Sequence, residues 1–197
     1  SSVSEGSQLV LKNAERAAHL IHSFKQVAAD ETSEARRVFD LRGYLDEVLT
    51  SLLPKYKKSR IKVVFSCPEG VEMDTYPGLL AQVLTNLITN ALTHGFDEGG
   101  QGEISIRASA EEKWTIIECA NDGKIIPSEH LTRIFEPFFT TRRSDGGTGL
   151  GLNIVFNIVT QRLGGTIGVH SEAGKGTTFT VRIPRVLSEK LNEGHLR

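Results

Sequence analysis

From Gln8 to Ala29 the chain contains neither glycine nor proline, and Val10, Ala14, Ala17, Ile21, Phe24 and Ala28 recur at alternating spacings of four and three. That periodicity is the seam of a coiled coil or helix bundle, which one helix cannot bury without a partner. The charged, small-residue stretch "ADETSEARR" (29–37) reads as a linker. The pattern therefore divides the chain into a helix over 1–29, a linker over 30–38, a domain over 39–185 and a polar, mobile tail over 186–197.

Within the domain, Asp40 is placed to cap a helix carrying Leu41, Leu45, Val48, Leu49 and Leu52 on one face, with Pro54 expected just beyond its end. "IKVVFSC" (61–67) reads as a strand. Pro77 leads into a helix over Leu79 to Thr93, and "EISIRAS" with "WTIIEC" alternates as a hairpin does. A short helix is expected over Ser128 to Phe135, and a longer one from about Leu150 to Leu163. "GTIGVHSE" and "TTFTVRIP", joined by Ala173 to Gly176, form a second hairpin. Strands in runs with helices on one face predict an α+β two-layer sandwich with a mixed sheet.

Composition narrows the function classes. The 197 residues are 39% hydrophobic and 24% charged, enough for one domain with a sizeable core plus an accessory segment. A net charge of -1 gives no global attraction to nucleic acid or an anionic membrane, so any polyanion needs a local site. Cys67 and Cys119 end apolar runs without metal-ligand spacing and read as buried free thiols, which fits a reducing compartment. No stretch is apolar for long enough to span a bilayer. Met73 is the only methionine, so the chain is expected to be a fragment of a longer protein.

Three segments carry candidate chemistry. On the Leu79 to Thr93 helix, Leu80, Val83, Leu84, Leu87, Ile88, Ala91 and Leu92 form a broad apolar face, while Gln82, Asn86, Asn90 and Thr93 form a narrow polar stripe with His94 just beyond. A solvated face would serve as well, yet this one has no Lys, Glu or Arg, and amide oxygens are hard ligands suited to Mg²⁺ on a nucleotide. In "GGTGLGLNIV", glycines precede an apolar-periodic helix, which lets backbone N–H groups approach phosphate oxygens. No Gly-Lys-Ser/Thr follows, so this is not a Walker A loop, and a glycine turn alone has low specificity. Between them, "IFEPFFTTRR" sets Phe135, Phe138 and Phe139 beside Thr140, Thr141, Arg142 and Arg143, which reads either as a surface loop or as a lid over a polyanion.

The order of the pieces is more specific than any one of them. "NLITNALTHG", "NDG", "IFEPFFTT", "GGTGLGL" and "GKGTTFTVRIP" in succession resemble the N, G1, F and G2 boxes and closing hairpin of the ATP-binding catalytic domain of bacterial sensor histidine kinases, a branch of the GHKL superfamily with the Bergerat fold. The resemblance covers roughly Phe39 to Pro184, and the first helix resembles the second helix of the dimerisation hairpin in such kinases. It implies a Mg²⁺ ligand at Asn90, with Asn86 and His94 on the phosphate side. The phosphate cradle would be Gly147, Thr148, Gly149, Leu150 and Gly151, with Thr141 and Arg142 from the lid. Asn121, Gly123 and Thr178 would serve the adenine end. ATP and Mg²⁺ would be bound, and the γ-phosphoryl would pass to a histidine and then to a response-regulator receiver domain. The intact protein would dimerise through the first helix and work in the cytoplasm, alone or as the cytoplasmic part of a membrane-bound sensor.

Two departures qualify these implications. His19 and His22 lack the acidic residue that follows a phosphoacceptor histidine and read as bundle histidines, so the fragment is expected not to phosphorylate itself. In the opening box, Asn121 and Ile125 stand where the family has aspartate and glycine. Asn121 brings donors that need partners, and a β-branched residue at positive φ would be strained; together these are expected to weaken nucleotide binding by roughly 100-fold. The alternatives are a degenerate, kinase-like interaction module that no longer binds ATP, and a GHKL ATPase of the mismatch-repair or chaperone type.

Overall fold

The computed structural model describes residues 8, 14, 35–141 and 147–188, so the expected N-terminal helix lies outside the described residues apart from two isolated positions. The domain starts with β1 (Arg37–Asp40), which pairs antiparallel with β3 (Glu72–Thr75) in a small separate sheet. β1 therefore begins inside the stretch read as linker. It escapes notice in the sequence because only Phe39 of its residues is buried. The chain past residue 185 also belongs to the domain: Val186 bridges to Asp74, and Leu187, 3% exposed, donates its N–H to the Asp74 carbonyl. The domain thus exceeds the expected 39–185 at both ends.

Helix α1 (Leu41–Tyr56) starts where Asp40 accepts the Gly43 N–H, and it buries the five apolar residues read as its inner face. It does not stop before Pro54. That residue lies inside the helix on its solvent side, and Lys57 N–H still bonds the Leu53 carbonyl at 2.8 Å. The carbonyl that loses its helical donor belongs to exposed Thr50, where solvent can reach it, which makes the proline tolerable.

The main sheet has the order β2-β4-β5-β7-β6, formed by β2 (Arg60–Ser66), β4 (Gln101–Ala110), β5 (Trp114–Asn121), β6 (Thr166–Glu172) and β7 (Gly176–Pro184). β2 runs parallel to β4, and the other pairs are antiparallel. Alternation along the strands separates the two faces. Thr115, Ile117, Cys119 and Asn121 of β5 and Thr177, Phe179, Val181 and Ile183 of β7 are buried, while their alternate neighbours are partly exposed. On the outer face, Arg182 stacks over the Trp114 ring at 3.9 Å and pairs with Glu111.

Onto the inner face packs α2 (Pro77–His94), burying Leu80, Val83, Leu84, Leu87, Ile88 and Ala91. The short α3 (Ser128–Leu131) ends earlier than Phe135. Helix α4 (Gly151–Asn157) continues as a π turn over Ile158–Arg162. Val155, Val159 and Leu163, spaced by four and all nearly inaccessible, stay on one buried line because the widened turn keeps them there. Both cysteines are free and buried, and burial pushes the Cys119 thiol up to about 12.

Arg36 ties the N-terminal end of the domain to β3 by a forked pair to Asp74, with Nε–Oδ1 at 2.9 Å and an Nη donor to Oδ2 at 3.0 Å. This bond holds the Asp74 carboxyl below its ordinary range. A depressed carboxylate stabilises the fold above the ordinary pKa of about 3.9, and the contribution disappears as pH falls through the lower folded value. Asp74→Asn is expected to cost about 1 kcal/mol at neutral pH and to lower Tm by roughly 2–4 °C. Thermal melts should show the gap between the two proteins closing in strong acid.

Candidate functional site

A cavity of about 700 Å³ opens between α2, the loop after β5, the Phe139 to Thr141 segment and the glycine turn before α4. Helix α2 presents Asn86, Asn90 and His94 to it. Their direction follows from the opposite face of the same helix, which the sheet buries. Threonines at 85, 89 and 93 widen the stripe, whereas Gln82 does not reach the cavity. The side-chain amides of Asn86 and Asn90 make no hydrogen bond among the described residues, so their oxygens and N–H groups are available.

Facing them, Gly147, Thr148, Gly149, Leu150 and Gly151 line the cavity, and Thr141 stands at its edge. The turn comes close to α2, as a Cβ added at Gly151 would sit 3.7 Å from Asn86 Oδ1. Its shape depends on Gly149, at φ +68, where a Cβ would fall 2.5 Å from the Phe138 carbonyl carbon. Phe138 is itself at φ 66, the one positive-φ residue other than glycine among those described. Two left-handed positions pack against each other here, and the pair locks the aromatic segment to the glycine turn. A further clamp is Asn153, whose Nδ2 donates to the Phe135 carbonyl at 2.9 Å.

At the other end the wall is Asn121, Lys124 to Pro127, Thr177 and Phe179. Asn121, 6% exposed, donates through Nδ2 to the Lys124 carbonyl at 3.4 Å. The same carbonyl accepts from Thr177 Oγ1 at 3.1 Å. Thr177 Oγ1 lies 2.8 Å from Ser171 Oγ, which also accepts the Ile126 N–H. The donor expected to lack a partner therefore has one, and Oδ1 of Asn121 remains as an acceptor. Ile125 lines the cavity while staying 45% exposed, and its φ is not positive, so the anticipated backbone strain is absent.

Two expected residues are elsewhere. Thr178 lies on the outer face of the sheet, opposite Ala120 and His170, and its neighbour Thr177 takes the cavity position because Thr177 pairs with Asn121. Gly123 does not line the cavity. It is needed because a Cβ there would collide with the Gly95 carbonyl, which accepts the Lys124 N–H at 2.6 Å. Arg142 lies outside the described residues. Sequence reasoning missed Lys55, Thr177 and His130, all on the cavity wall.

The electrostatics are one-sided: among the described residues lining the cavity there are lysines and histidines and no Asp or Glu. Residues 75–187, more than half of the chain, match the model of histidine kinase-, DNA gyrase B- and HSP90-like ATPases. The chain is 34% identical over 189 residues to the sensor histidine kinase ZraS of Escherichia coli K12, covering 95% of this chain and 39% of that protein. The catalytic domain of histidine kinase ThkA in nucleotide-free form superposes with TM-score 0.68 at 31% identity, covering 77% of this chain and 99% of that one. The chain belongs to this ATPase family, in its histidine kinase branch.

The sensor kinase CckA of Brucella abortus is also similar, at 34% identity over 92% of this chain and 20% of that protein. The chain thus spans two fifths or less of the length of these two curated relatives. What it carries is the histidine kinase ATPase domain. In that domain, Gly149→Ala should cost about 2–4 kcal/mol, from strain at positive φ plus overlap with the Phe138 backbone. Tm is expected to fall by about 5 °C or more. An unchanged melt would show that the turn does not need its left-handed glycine.

Proposed function

We propose that this chain is the ATP-binding catalytic part of a two-component sensor histidine kinase. It holds Mg-ATP between α2 and the glycine turn and delivers the γ-phosphoryl to a histidine on a dimerisation hairpin, for relay to a response-regulator aspartate. One observation carries the reading: the uncharged amide stripe and the glycine turn face each other across a single cavity whose described wall holds no carboxylate. A pocket built this way suits a polyanion and repels none of its oxygens.

The residues fit magnesium only in company with phosphate. Mg²⁺ is usually held by one or two carboxylates plus substrate oxygens, and here the protein ligand would be the amide oxygen of Asn90, with Asn86 beside it. When bound, the ion supplies positive charge to the phosphate oxygens. The chain's own residues orient: amides and hydroxyls of α2 on one side, N–H groups of the glycine turn on the other. Asn121 Oδ1 accepts from the adenine amino group while the Lys124 carbonyl occupies its Nδ2. Phosphoryl transfer gains its rate mainly from such positioning and charge neutralisation.

The partners follow from the same reading. ThkA has been captured in a complex with the response regulator TrrA, and this chain resembles ThkA there with TM-score 0.71 at 26% identity. That likeness supports a receiver domain as the downstream partner. Dimerisation would use the helix over 1–29, outside the described residues.

Titration calorimetry should detect Mg-ATP binding, with little heat for Mg²⁺ alone. Asn90→Ala should weaken Mg-ATP about tenfold or more and reduce the benefit of magnesium, and no heat at millimolar nucleotide for the parent chain would refute the reading. Mixed with an intact dimerisation hairpin and labelled ATP, the chain should place acid-labile, alkali-stable phosphate on that hairpin. Unlabelled hairpin despite bound ATP would exclude the kinase step.

A further inference from the structure

We propose that Lys55, at the end of α1, is a phosphate-binding residue of this nucleotide site; the proposal rests on the ATP reading above and identifies a cation that the motif boxes do not contain. Lys55 lines the same cavity as Asn86, Asn90 and Gly151. Its Nζ donates to Thr89 Oγ1 at 3.3 Å. Thr89 stands three residues from Asn86 and one from Asn90 on α2, and all of them line the same cavity, which puts the ammonium group on the α2 side of it.

The charge of Lys55 has no counter-ion among the described residues. Lys124, the other lysine on the wall, is paired with Asp97. Arg36, Lys62, Lys175 and Arg182 also have carboxylate partners, whereas Lys57, Lys58, Arg60, Arg107 and Lys113 have none among the described residues; what sets Lys55 apart from those is its place on the cavity wall and its contact with Thr89. Lys55 instead leans on a neutral hydroxyl at the rim of a cavity without acidic groups. A triphosphate carries more negative charge than one Mg²⁺ offsets, and a mobile ammonium group with three donors answers that need as a point charge. A lysine that only solubilised the surface would be as well placed pointing away from the stripe.

A neighbouring hollow supplies the internal control. Lys55 borders it too, together with Lys58, Arg60, Asp97 and Glu98, but Lys58 does not reach the nucleotide cavity. The two lysines lie three residues apart with different exposure to the proposed phosphates.

The test compares the parent chain with Lys55→Met, Lys55→Arg and Lys58→Met, measuring Kd for Mg-ATP, Mg-ADP and adenosine by calorimetry, with thermal melts alongside. Lys55→Met is expected to weaken Mg-ATP about 5- to 10-fold, Mg-ADP less and adenosine by less than about twofold, with the ATP loss shrinking at high salt. Lys55→Arg should recover most of the affinity, Lys58→Met should match the parent, and all should melt alike. Unchanged ATP affinity in Lys55→Met, or an equal loss for adenosine and ATP, would overturn the assignment while leaving the ATP site standing. A parent chain that binds none of the three ligands would overturn the site and this assignment together.

Discussion

The two faces of α2 constrain everything else in the domain. Its apolar side is driven onto the sheet, with Leu80 and Ile88 wholly inaccessible and Leu87 nearly so. Burial of side chains of this size stabilises by about 1.5–3 kcal/mol each, far more than the few tenths that Asn and Thr cost in helix propensity. The rotation of the helix about its own axis is therefore fixed by the core. Once it is fixed, Asn86, Asn90 and His94 have no choice but to face the cavity. Amides that would be poor helix residues on a free surface become an aligned set of unsatisfied donors and acceptors, already ordered before any ligand arrives.

The glycine turn is ordered by a second, independent device. Phe135 packs near Phe156 and Phe179, and Asn153 holds the Phe135 carbonyl, so the aromatic segment is fastened to α4. The opposed left-handed residues Phe138 and Gly149 then set the direction in which the turn's N–H groups point. Strain at Phe138 costs on the order of 1–3 kcal/mol and is sustained by that packing. The aromatic box is thus the support of the glycine turn as well as one wall of the cavity.

The α2 stripe and the glycine turn were legible because their signals are local: a helical period with no charged residue, and glycines ahead of an apolar run. The misreadings all involve information that is not local. Thr178 stands one residue from the cavity-lining Thr177, and in a strand one residue reverses the face; which of the two faces the cavity depends on pairing with Asn121, which the sequence of β7 alone does not contain. β1 was hidden because a four-residue strand with one buried side chain has no readable alternation. Lys55 was lost through Pro54. A proline suggests that a helix has ended, but on the solvent side the missing hydrogen bond is replaced by water, and the extra turn is what carries Lys55 to the cavity rim.

Each change in the opening box meets a loop that accommodates it. An aspartate at 121 would set a carboxylate oxygen against the Lys124 carbonyl, whereas the amide donates to it, so Asn121 is matched to the loop that follows. That loop is in turn fixed by Thr177 and Ser171, through hydrogen bonds independent of the residue at 125. Ile125 consequently has room to remain partly exposed at the cavity edge instead of filling the base end. The sequence-based penalty added a buried unpaired donor to a strained backbone, and neither is present. What remains, on the proposed adenine contact, is the loss of one formal charge opposite a neutral amino group, worth roughly the difference between a charged and a neutral hydrogen bond, about 1 kcal/mol. Since the groups proposed to face the phosphates stand on different elements and are untouched by that change, a weakened contact at Asn121 would lower affinity without dismantling the proposed site.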